Sequence, residues 1–517
     1  MASASTDPPP GAPAPGTDPA HGADPAHGAD PSHGHLLRGS AWMIAMRWAT
    51  RALGLVSTVI LARLLAPEDF GVVAMAMVVV GFLEVFTHTG VDLALIRDAG
   101  ATREHYDTAW TLEILQAALL ALALLAAAPL ATRYFGDPRV LEVMQLLSLR
   151  AFIGGFENIG VVAFRRDLNF DREFWFGVFK KMSTVAITIG AAVAFRSYWA
   201  LVVGLIGGRA LDVAISFIMH PYRPRPTLAR FGDIWGFSRW LLLARVANLL
   251  NRKLDEFVVG GQAGTTAMGN YFVASDIATA PAEEVVLPMS RGIFPVYSRQ
   301  QNDRARLAES FFMVLRSTAY LCVALGLGVS AVAPHLVPLV LGDQWLDAIP
   351  LMQWLGVWGA LMGMTLALDP LLLATGRGAL LASFKWIQLV VLAPALVYGG
   401  MIGGVVGVAA AKTLVMAASL PVFLFWAARA ETIGARRVAG AVLPALVAGG
   451  VMYAAVLATI DASVAWPMWL RLIVEVGVGG VVYVVAVLAI WRMRGAPAGP
   501  ERDVIERLRR LLYRQSA

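Results

Sequence analysis

Long apolar runs, separated by short polar connections, occupy most of the chain from residue 41 to residue 491. Each run is close to the roughly 20 residues that an α-helix needs to cross a bilayer. None shows the regular alternation of apolar and polar positions that is typical of membrane β-strands. The pattern predicts an all-α polytopic membrane protein with about 14 transmembrane helices. The runs are 41–62, 70–92, 107–130, 140–163, 174–195, 198–219, 234–258, 268–295, 310–333, 349–374, 379–399, 401–428, 438–460 and 468–491.

Composition agrees with this class and excludes several others. Of the 517 residues, 58% are hydrophobic and 15% are charged, whereas soluble proteins carry about 25% charged residues. A soluble enzyme and an outer-membrane barrel are therefore excluded. The one cysteine, Cys322, lies in an apolar run, which leaves no disulfide framework and no cysteine-based metal cluster. The net charge of +6 comes with no soluble basic domain, so we expect no nucleic-acid partner.

The distribution of Lys and Arg predicts how the chain is oriented in the membrane. An even number of crossings places both termini on one side. The termini and the even-numbered connections hold 24 basic residues, whereas the odd-numbered connections hold 4. Because basic loops stay in the cytoplasm, we expect both termini to be cytoplasmic.

The two ends of the chain are predicted to lie outside the membrane. Residues 1–37 form a low-complexity tail in which the unit Pro-Ala-His-Gly-Ala-Asp occurs twice, and we expect this tail to be disordered. Its histidines could bind a metal, but a solvated linker is the stronger interpretation. In the basic tail, 493–517, residues 503–514 combine an apolar stripe with arginines. This pattern predicts an interfacial helix on the cytoplasmic leaflet, with a partner-binding helix as the alternative.

An internal repeat with an offset of 198 residues points to two related halves. The offset spans six crossings, so both halves have the same topology and an axis along the membrane normal would relate them. Coincidence between two amphipathic helices is the alternative. The identical pairs are Ser40 and Ser238, Trp42 and Trp240, Arg47 and Arg245, Ala49 and Ala247, Gly71 and Gly269, and Ala76 and Ala274.

The repeat divides the chain into two six-helix lobes and an extra helix pair. The predicted units are a cytoplasmic tail (1–37), an N-lobe with helices 1–6 (38–219), a cytoplasmic inter-lobe loop (220–233), a C-lobe with helices 7–12 (234–428), the extra helices 13 and 14 (429–492), and a basic amphipathic tail (493–517).

Arginines inside the leading helices of both lobes are candidates for substrate binding. Ionisable groups at membrane depth cost about 2.5–3.5 kcal/mol each, so they usually face a cavity or a partner. Two facing lobes with arginines at matching depth would enclose a cationic, water-filled cavity. Arginine suits a phosphate because its planar guanidinium donates in pairs to two oxygens. Snorkelling of these side chains to the interface is the alternative. The candidates are Arg47, Arg51, Arg245, Asn248 and Arg252.

Acidic residues near proline breaks are candidates for coupling transport to H⁺ or Na⁺. Broken helices with acidic groups near the midplane are typical of ion-coupling sites. Lys385 and Lys412 are counter-charges for the acidic group that precedes Pro370. Internal pairing with arginines of neighbouring helices is an equally open interpretation. The candidates are Glu84, Asp276, Glu283, Glu284 and Asp369.

Other chemistries find no support in the sequence. The glycine-rich stretch 399–404 suits close helix packing and follows no strand, so it does not predict a nucleotide site. We expect no bound cofactor, no metal and no enzymatic activity. A membrane polymerase or ligase would need a large catalytic loop, but the longest odd-numbered connection, 334–348, holds only His335, Asp343 and Asp347.

Three short motifs resemble those of the polysaccharide transporter family. These proteins are the bacterial repeat-unit flippases of the multidrug/oligosaccharidyl-lipid/polysaccharide (MOP) superfamily. Residues 61–71 end in Pro-Glu-Asp-Phe-Gly, 158–170 contain Phe-Arg-Arg-Asp-Leu-Asn-Phe, and 341–345 read Leu-Gly-Asp-Gln-Trp. The resemblance covers about residues 38–430.

The resemblance implies a two-lobed flippase of the bacterial inner membrane. It would move undecaprenyl-pyrophosphate-linked oligosaccharide repeat units for exopolysaccharide, capsule or O-antigen synthesis. Cavity arginines would hold the pyrophosphate, a place that Arg47 and Arg51 occupy here, with Arg245 as the repeat counterpart. Membrane lipids, a polysaccharide polymerase and a co-polymerase are the expected partners. An ion-coupled multidrug or small-solute exporter on the same scaffold is the alternative.

Overall fold

In the computed structural model, the described residues are 31–87, 95, 100, 102–430, 434–462, 466–497, 499–502 and 506. Side chains are described for all of these except 31–41, 86–87, 232–248, 281–291, 430, 435 and 461–462. The described part is α-helical almost throughout and contains no strand, which confirms the predicted fold class. The tail 1–30 and the predicted interfacial helix, apart from residue 506, lie outside the described residues.

Helices follow one another with short connections. Two 3₁₀-helices, Ile159–Val161 and Asp343–Trp345, precede α5 and α10. The helices are α1 (Pro31–Leu64), α2 (Pro67–Thr87), α3 (Arg103–Phe135), α4 (Arg139–Gly154), α5 (Val162–Arg166), α6 (Phe170–Phe195), α7 (Trp199–Met219), α8 (Phe231–Gln300), α9 (Arg304–Val340), α10 (Ala348–Thr365), α11 (Leu368–Ala374), α12 (Gly378–Ala430), α13 (Ala435–Ala462) and α14 (Met468–Met493).

Two of these helices are broken once by a glycine. In α8 the break lies at Gly264, with φ 79°, and in α12 it lies at Gly404, with φ 57°. Glycine adopts positive φ without steric cost, so it can reverse the chain in a single residue. The predicted seventh and eighth runs are therefore the two arms of α8, and the eleventh and twelfth are the two arms of α12.

Within the described residues, each predicted apolar run falls on a helix or a helical arm, except that 140–163 and 349–374 are each divided between two neighbouring helices. By length and apolar composition, nine of the described helices could cross a membrane, or ten when α4 and the bent segment after it count as one span. These helices are consistent with the predicted number of about fourteen crossings.

The structure differs from the predicted boundaries in two places. The first helix begins at Pro31 rather than at 41, so 31–37 belong to α1 and not to the predicted disordered tail; proline is well suited to a first helical turn. At the other place, α9 continues to Val340. The connection predicted at 334–348 is therefore shorter, and His335 lies inside a helix with its ring 2.6 Å from the Glu475 carboxylate.

Apolar cores show that the two lobes meet at one end of the molecule. One core combines residues 61–202 of the N-lobe with residues 258–409 of the C-lobe. A second core, between residues 293 and 483, belongs to the C-lobe and the extra helix pair, and a third, around residues 95–159, belongs to the N-lobe. The shared core flanks the odd-numbered connections, and we call this the joined end. The opposite end, with connections 167–169, 220–230, 301–303 and 375–377, is the divided end.

The lobes cross at a symmetric glycine contact at the joined end. A Cβ on Gly71 of α2 would lie 1.8 Å from the carbonyl oxygen of Thr265, and a Cβ on Gly269 would lie 1.8 Å from that of Pro67. Residues 67 and 71 are the repeat counterparts of 265 and 269. Equivalent residues make this contact in both directions, as they do at a two-fold axis, so it confirms the predicted relation of the lobes.

The connection between α7 and α8 is held against the N-lobe. The backbone amide of Arg225 donates to Asp107 at 2.8 Å, and that of Thr227 donates to Thr111 at 2.9 Å. The Tyr222 hydroxyl donates to Asp107 at 2.7 Å. Burial and the neighbouring Asp107 carboxylate raise the pKa of this hydroxyl, so it stays protonated and remains a donor.

Candidate functional site

An ion pair joins the two lobes near the middle of the helices. Arg51 of α1 lies 3.3 Å from a carboxylate oxygen of Asp276 in the second arm of α8. The same guanidinium donates to the backbone carbonyl of Asp276 at 3.0 Å. The two side chains are 25% and 37% exposed, so both remain open to the space between the lobes. Two residues that the sequence assigned to separate roles, anion binding and ion coupling, are thus brought together.

Lys181 of α6 adds a second cation at this place, and the sequence analysis missed it. The side chain packs 3.4 Å from where a Cβ on Gly54 of α1 would lie. It interacts electrostatically with Arg51 and Asp276, yet no carboxylate of the described residues lies within the 4.0 Å of a salt bridge. Its place in the middle of a transmembrane run was the signal that could have found it.

A polar cavity of about 120 Å³ adjoins the Arg51–Asp276 pair on the C-lobe side. The first arm of α8 contributes Arg252 and Glu256 to its wall, and the second arm contributes Ser275, Asp276 and Thr279. Arg252, a predicted binding residue, therefore shares this cavity wall with Asp276.

Aromatic and basic side chains complete the cavity wall. Trp358 of α10 and Lys412 of α12 also line it, and the Lys412 ammonium lies 4.2 Å from the centroid of the indole ring. The α10 helix packs against α8 here: a Cβ on Gly359 would be in van der Waals contact, at 3.4 Å, with the carbonyl oxygen of Ala278. The glycine thus helps to place Trp358 beside the second arm.

Behind the cavity lies a buried ion pair. Lys412 and Asp255, with side chains 3% and 1% exposed, are 2.5 Å apart, and the Tyr271 hydroxyl donates to the same carboxylate oxygen at 2.5 Å. The prediction that Lys412 balances Asp369 is therefore wrong, because its ammonium is held by the nearer, fully buried Asp255. Lys385 does lie beside Asp369, at 3.3 Å.

A second polar cluster lies inside the N-lobe, and the sequence analysis did not single it out. Glu157 accepts from Lys180 of α6 and from Arg209 of α7, at 2.8 Å in both cases. Asp212 is more distant from the same two cations, at 3.9 and 3.8 Å. Partners on separate runs made this cluster invisible in the linear pattern.

The remaining candidates fall in several places. Arg47 is half-buried in α1, one turn before Arg51. Glu84 of α2 interacts electrostatically with Arg150 of α4, which is the internal pairing that the sequence left open. The helices carry the other candidates, but their side chains lie outside the described ones. These are Arg245, Asn248, Glu283 and Glu284.

The arrangement offers a mid-membrane anion site with a polar lining. Arg51 pairs with Asp276 and Lys181 interacts with both, while Arg252 lines the adjoining cavity together with Asp276 and Glu256. Among the described residues, no group of three His, Cys, Asp or Glu has a geometry for a metal ion. Guanidinium and ammonium groups in this arrangement are suited to holding an anion.

Comparison with known proteins gives the family. Residues 60–350, more than half of the chain, match the family described as polysaccharide biosynthesis protein. The chain belongs to this family. The resemblance of the three sequence motifs to a polysaccharide family is thus confirmed.

Curated relatives cover most of this family member. A protein described as an uncharacterized membrane protein in the cps region of Klebsiella pneumoniae is 24% identical over 380 residues, 72% of this chain and 78% of the relative. The lipopolysaccharide biosynthesis protein WzxC of Escherichia coli K12 is 23% identical over 382 residues, 72% and 76% of the two chains. The succinoglycan biosynthesis transport protein ExoT of Rhizobium meliloti is 25% identical over 373 residues, 71% and 75% of the two chains.

Solved structures share the fold. The lipid II flippase MurJ, in an inward closed conformation, has a TM-score of 0.67 at 15% identity and covers 87% of this chain and 99% of its own. An inward-facing MATE-family multidrug resistance transporter of the MOP superfamily has a TM-score of 0.59 at 15% identity and covers 75% and 98% of the two chains. This likeness shows that the chain shares the multi-pass helical fold of these two proteins.

In this family member, two of the motifs that carried the resemblance hold the joined end together. Asp69 accepts from the backbone amide of Tyr198 at 2.8 Å, and Glu68 pairs with Arg139 at 2.6 Å. The Trp345 indole donates to the carbonyl of Ala62 at 2.9 Å, across the two lobes. The motifs at 61–71 and 341–345 therefore hold neighbouring helices and the two lobes together at the joined end.

The third motif, at 158–170, anchors the inter-lobe connection. Asn158 is fully buried and its side-chain amide donates to the carbonyls of Tyr222, at 2.8 Å, and His220, at 3.3 Å. Arg165 pairs with Glu173 at the start of α6. These contacts fix the bend after α4 to the chain that leads into the C-lobe.

Proposed function

We propose that this protein is a flippase that moves undecaprenyl-pyrophosphate-linked oligosaccharide repeat units across the bacterial inner membrane for polysaccharide synthesis. The family match and the relatives named for lipopolysaccharide biosynthesis and succinoglycan transport support this function. The fold shared with a lipid II flippase agrees with it. A polysaccharide polymerase and co-polymerase would be its partners.

The cationic site between the lobes is the observation that carries the proposal. A pyrophosphate at mid-membrane depth needs opposite charge, because the hydrocarbon region offers no solvation. Arg51 and Lys181 provide it from the N-lobe, and Arg252 provides it from the C-lobe. The polyprenyl tail can stay in lipid while the charged head group lies between the lobes.

In this proposal, the cavity faces the cytoplasm, and the distribution of basic residues supports that orientation. The divided end carries the basic even-numbered connections, which stay in the cytoplasm by the positive-inside rule. The lobes have separate cores at that end and a shared core at the other. In this proposal, the structure is the loading state, with the termini in the cytoplasm, and rocking of the lobes would open the joined end.

A coupling ion, H⁺ or Na⁺, would drive the cycle in one direction. Among the candidate carboxylates, Asp276 lies at the anion site itself and Asp369 lies beside Lys385. Glu84 interacts with Arg150 inside the N-lobe. Glu283 and Glu284 continue the arm that carries Asp276. Asp276 has the strongest support, since its partner Arg51 is also a proposed ligand of the pyrophosphate.

A multidrug exporter on the same scaffold is less well supported. An exporter of cationic drugs requires an acidic lining, and here the cations outnumber the carboxylates of Asp276 and Glu256. Transport rather than catalysis also agrees with the relatives that are named as transport proteins.

Complementation of a strain that lacks the gene tests the function. We expect Arg47→Ala and Arg245→Ala each to abolish export of the polysaccharide at unchanged protein level, because the proposal assigns both arginines, one from each lobe, to binding of the pyrophosphate. The corresponding Lys variants should retain part of the export, and Arg133→Ala, at an exposed helix end, should retain all of it. Normal export by both alanine variants would contradict the proposal, and altered drug susceptibility with normal export would favour the exporter.

A further inference from the structure

The C-lobe cavity beside the anion site has a lining that a phosphate group does not need. A phosphate is recognised by cations and donors, but this cavity also presents the indole of Trp358, the carboxylate of Glu256 and the hydroxyls of Ser275 and Thr279. An aromatic ring together with neutral and anionic acceptors is complementary to a sugar, which has an apolar C–H face and hydroxyl donors.

The size of the cavity fits one sugar ring. A volume of about 120 Å³, several times the roughly 30 Å³ share of one water molecule, is of the order of a single sugar ring. The cavity is too small for a whole oligosaccharide repeat unit. A ligand group that enters it must therefore be one end of the glycan, while the rest remains outside the cavity.

The position of the cavity selects which end of the glycan enters. Asp276 lines the cavity and also pairs with Arg51, at 3.3 Å, so the cavity rim and the anion site share a residue. In a lipid-linked glycan, one sugar is bonded directly to the pyrophosphate. With the phosphates between Arg51 and Lys181, this sugar is the part of the ligand that reaches the cavity.

We propose that this cavity, lined by Trp358, Ser275, Thr279 and Glu256, binds the sugar that is linked directly to the pyrophosphate. The inference rests on the proposed function and adds a place where the protein reads the identity of the first sugar. The buried Lys412–Asp255 pair supports the site from behind, because Lys412 lies against the indole and fixes its position.

A comparison of two lipids separates sugar recognition from phosphate recognition. The full chain in lipid nanodiscs is titrated with undecaprenyl pyrophosphate and with undecaprenyl pyrophosphate that carries one hexose or one N-acetylhexosamine. We expect the wild-type protein to bind one of the sugar-bearing lipids at least about tenfold more tightly than the bare lipid. Trp358→Ala should remove most of this preference, and Arg51→Ala should weaken both lipids by a similar factor.

Two further variants keep the test independent of folding. Trp358→Phe keeps a ring and should keep part of the preference, whereas Ser275→Ala removes one hydroxyl at little cost in packing and should lower it. Trp386→Ala, on an indole that is 47% exposed on the outside of α12, is the matched control and should leave it unchanged. An unchanged preference in both Trp358→Ala and Ser275→Ala would overturn the proposal.

The outcome also distinguishes this inference from the proposed function. If the wild-type protein binds both lipids with the same affinity across all tested sugars, the cavity is not a sugar site, although the flippase function stands. If it binds neither lipid while export persists in the deletion strain, the function itself is wrong.

Discussion

At the scale of single residues, the clearest feature is a half-buried cation that forms no salt bridge with a carboxylate of the described residues. Lys181 lies beside Arg51 and Asp276, in the middle of a transmembrane helix. A cation in that position is costly unless an anion is present for part of the cycle. The bound substrate would supply that anion.

Removing this charge should reduce transport without harming the fold. We expect Lys181→Ala to lower the initial export rate by about tenfold or more, since one charge-assisted hydrogen bond to the pyrophosphate is lost. Lys181→Arg should retain most of the rate. Arg172→Ala, an exposed position at the start of the same helix, is the control. Export at the wild-type rate by Lys181→Ala would show that this cation does not contact the substrate.

The buried Lys412–Asp255 pair should matter for stability. Lys412→Met leaves Asp255 as an uncompensated buried charge, so we expect a loss of about 3–5 kcal/mol in the free energy of unfolding. The double variant Asp255→Asn with Lys412→Met removes both charges and should recover most of this loss. Thermal unfolding of the purified protein in detergent measures both effects. A double variant that is no more stable than the single one would contradict the charge argument.

At the scale of helices, α2 and the second arm of α8 approach more closely than side chains would allow. The carbonyl oxygens of Pro67 and Thr265 occupy the space that a Cβ at 269 or 71 would need. Backbone atoms do not move aside as a flexible side chain can, so glycine is required at both positions.

Adding one methyl group tests this crossing. We expect Gly71→Ala and Gly269→Ala to destabilise the protein to a similar extent, by about 3 kcal/mol or more, because each forces the same two helices apart. Gly81→Ala is the control in the same helix, since no atom lies within 4 Å of its Cβ position. Unfolding temperatures of the three variants compare them directly, and an equal effect at all three positions would contradict the proposed crossing.

Much of this level of structure could be predicted from the sequence, and the reasons for the exceptions are physical. Apolar runs predict helices reliably because a bilayer requires internal backbone hydrogen bonds. The reversal at Gly264 was not predicted, since a one-residue break leaves little polar signal between two runs. The Glu157–Lys180–Arg209 cluster was missed because its members lie far apart in sequence, and only helix packing brings them together.

For the whole molecule, the separate cores at the divided end lead us to expect that the cavity is accessible from that end alone. In the proposed orientation that side is the cytoplasm. Ser275 lines the cavity, and Ser197 lies in a connection at the joined end. Cysteines at these two positions can therefore show from which side of the membrane each end of the molecule is reached.

Labelling with a membrane-impermeant thiol reagent tests accessibility. We expect Ser275→Cys to react in inside-out vesicles but not in intact spheroplasts, and Ser197→Cys to show the opposite pattern. The native Cys322 is fully buried and should stay unreactive in both, so it need not be replaced. Equal reaction of Ser275→Cys from outside and inside would contradict a state that is closed at the joined end.

The reciprocal glycine contact also bears on how such a chain could arise. Two separate copies of a six-helix protein would make this contact twice and in the same way, since each copy would present both the glycine and the carbonyl that faces it. A dimer of that kind would already be assembled before any covalent link joined its subunits. Fusion of the two copies through a connection such as 220–230 would then create no new interface. It would let the sequences of the two halves diverge independently. The cations and the sugar-sized cavity could thereby come to differ between the halves.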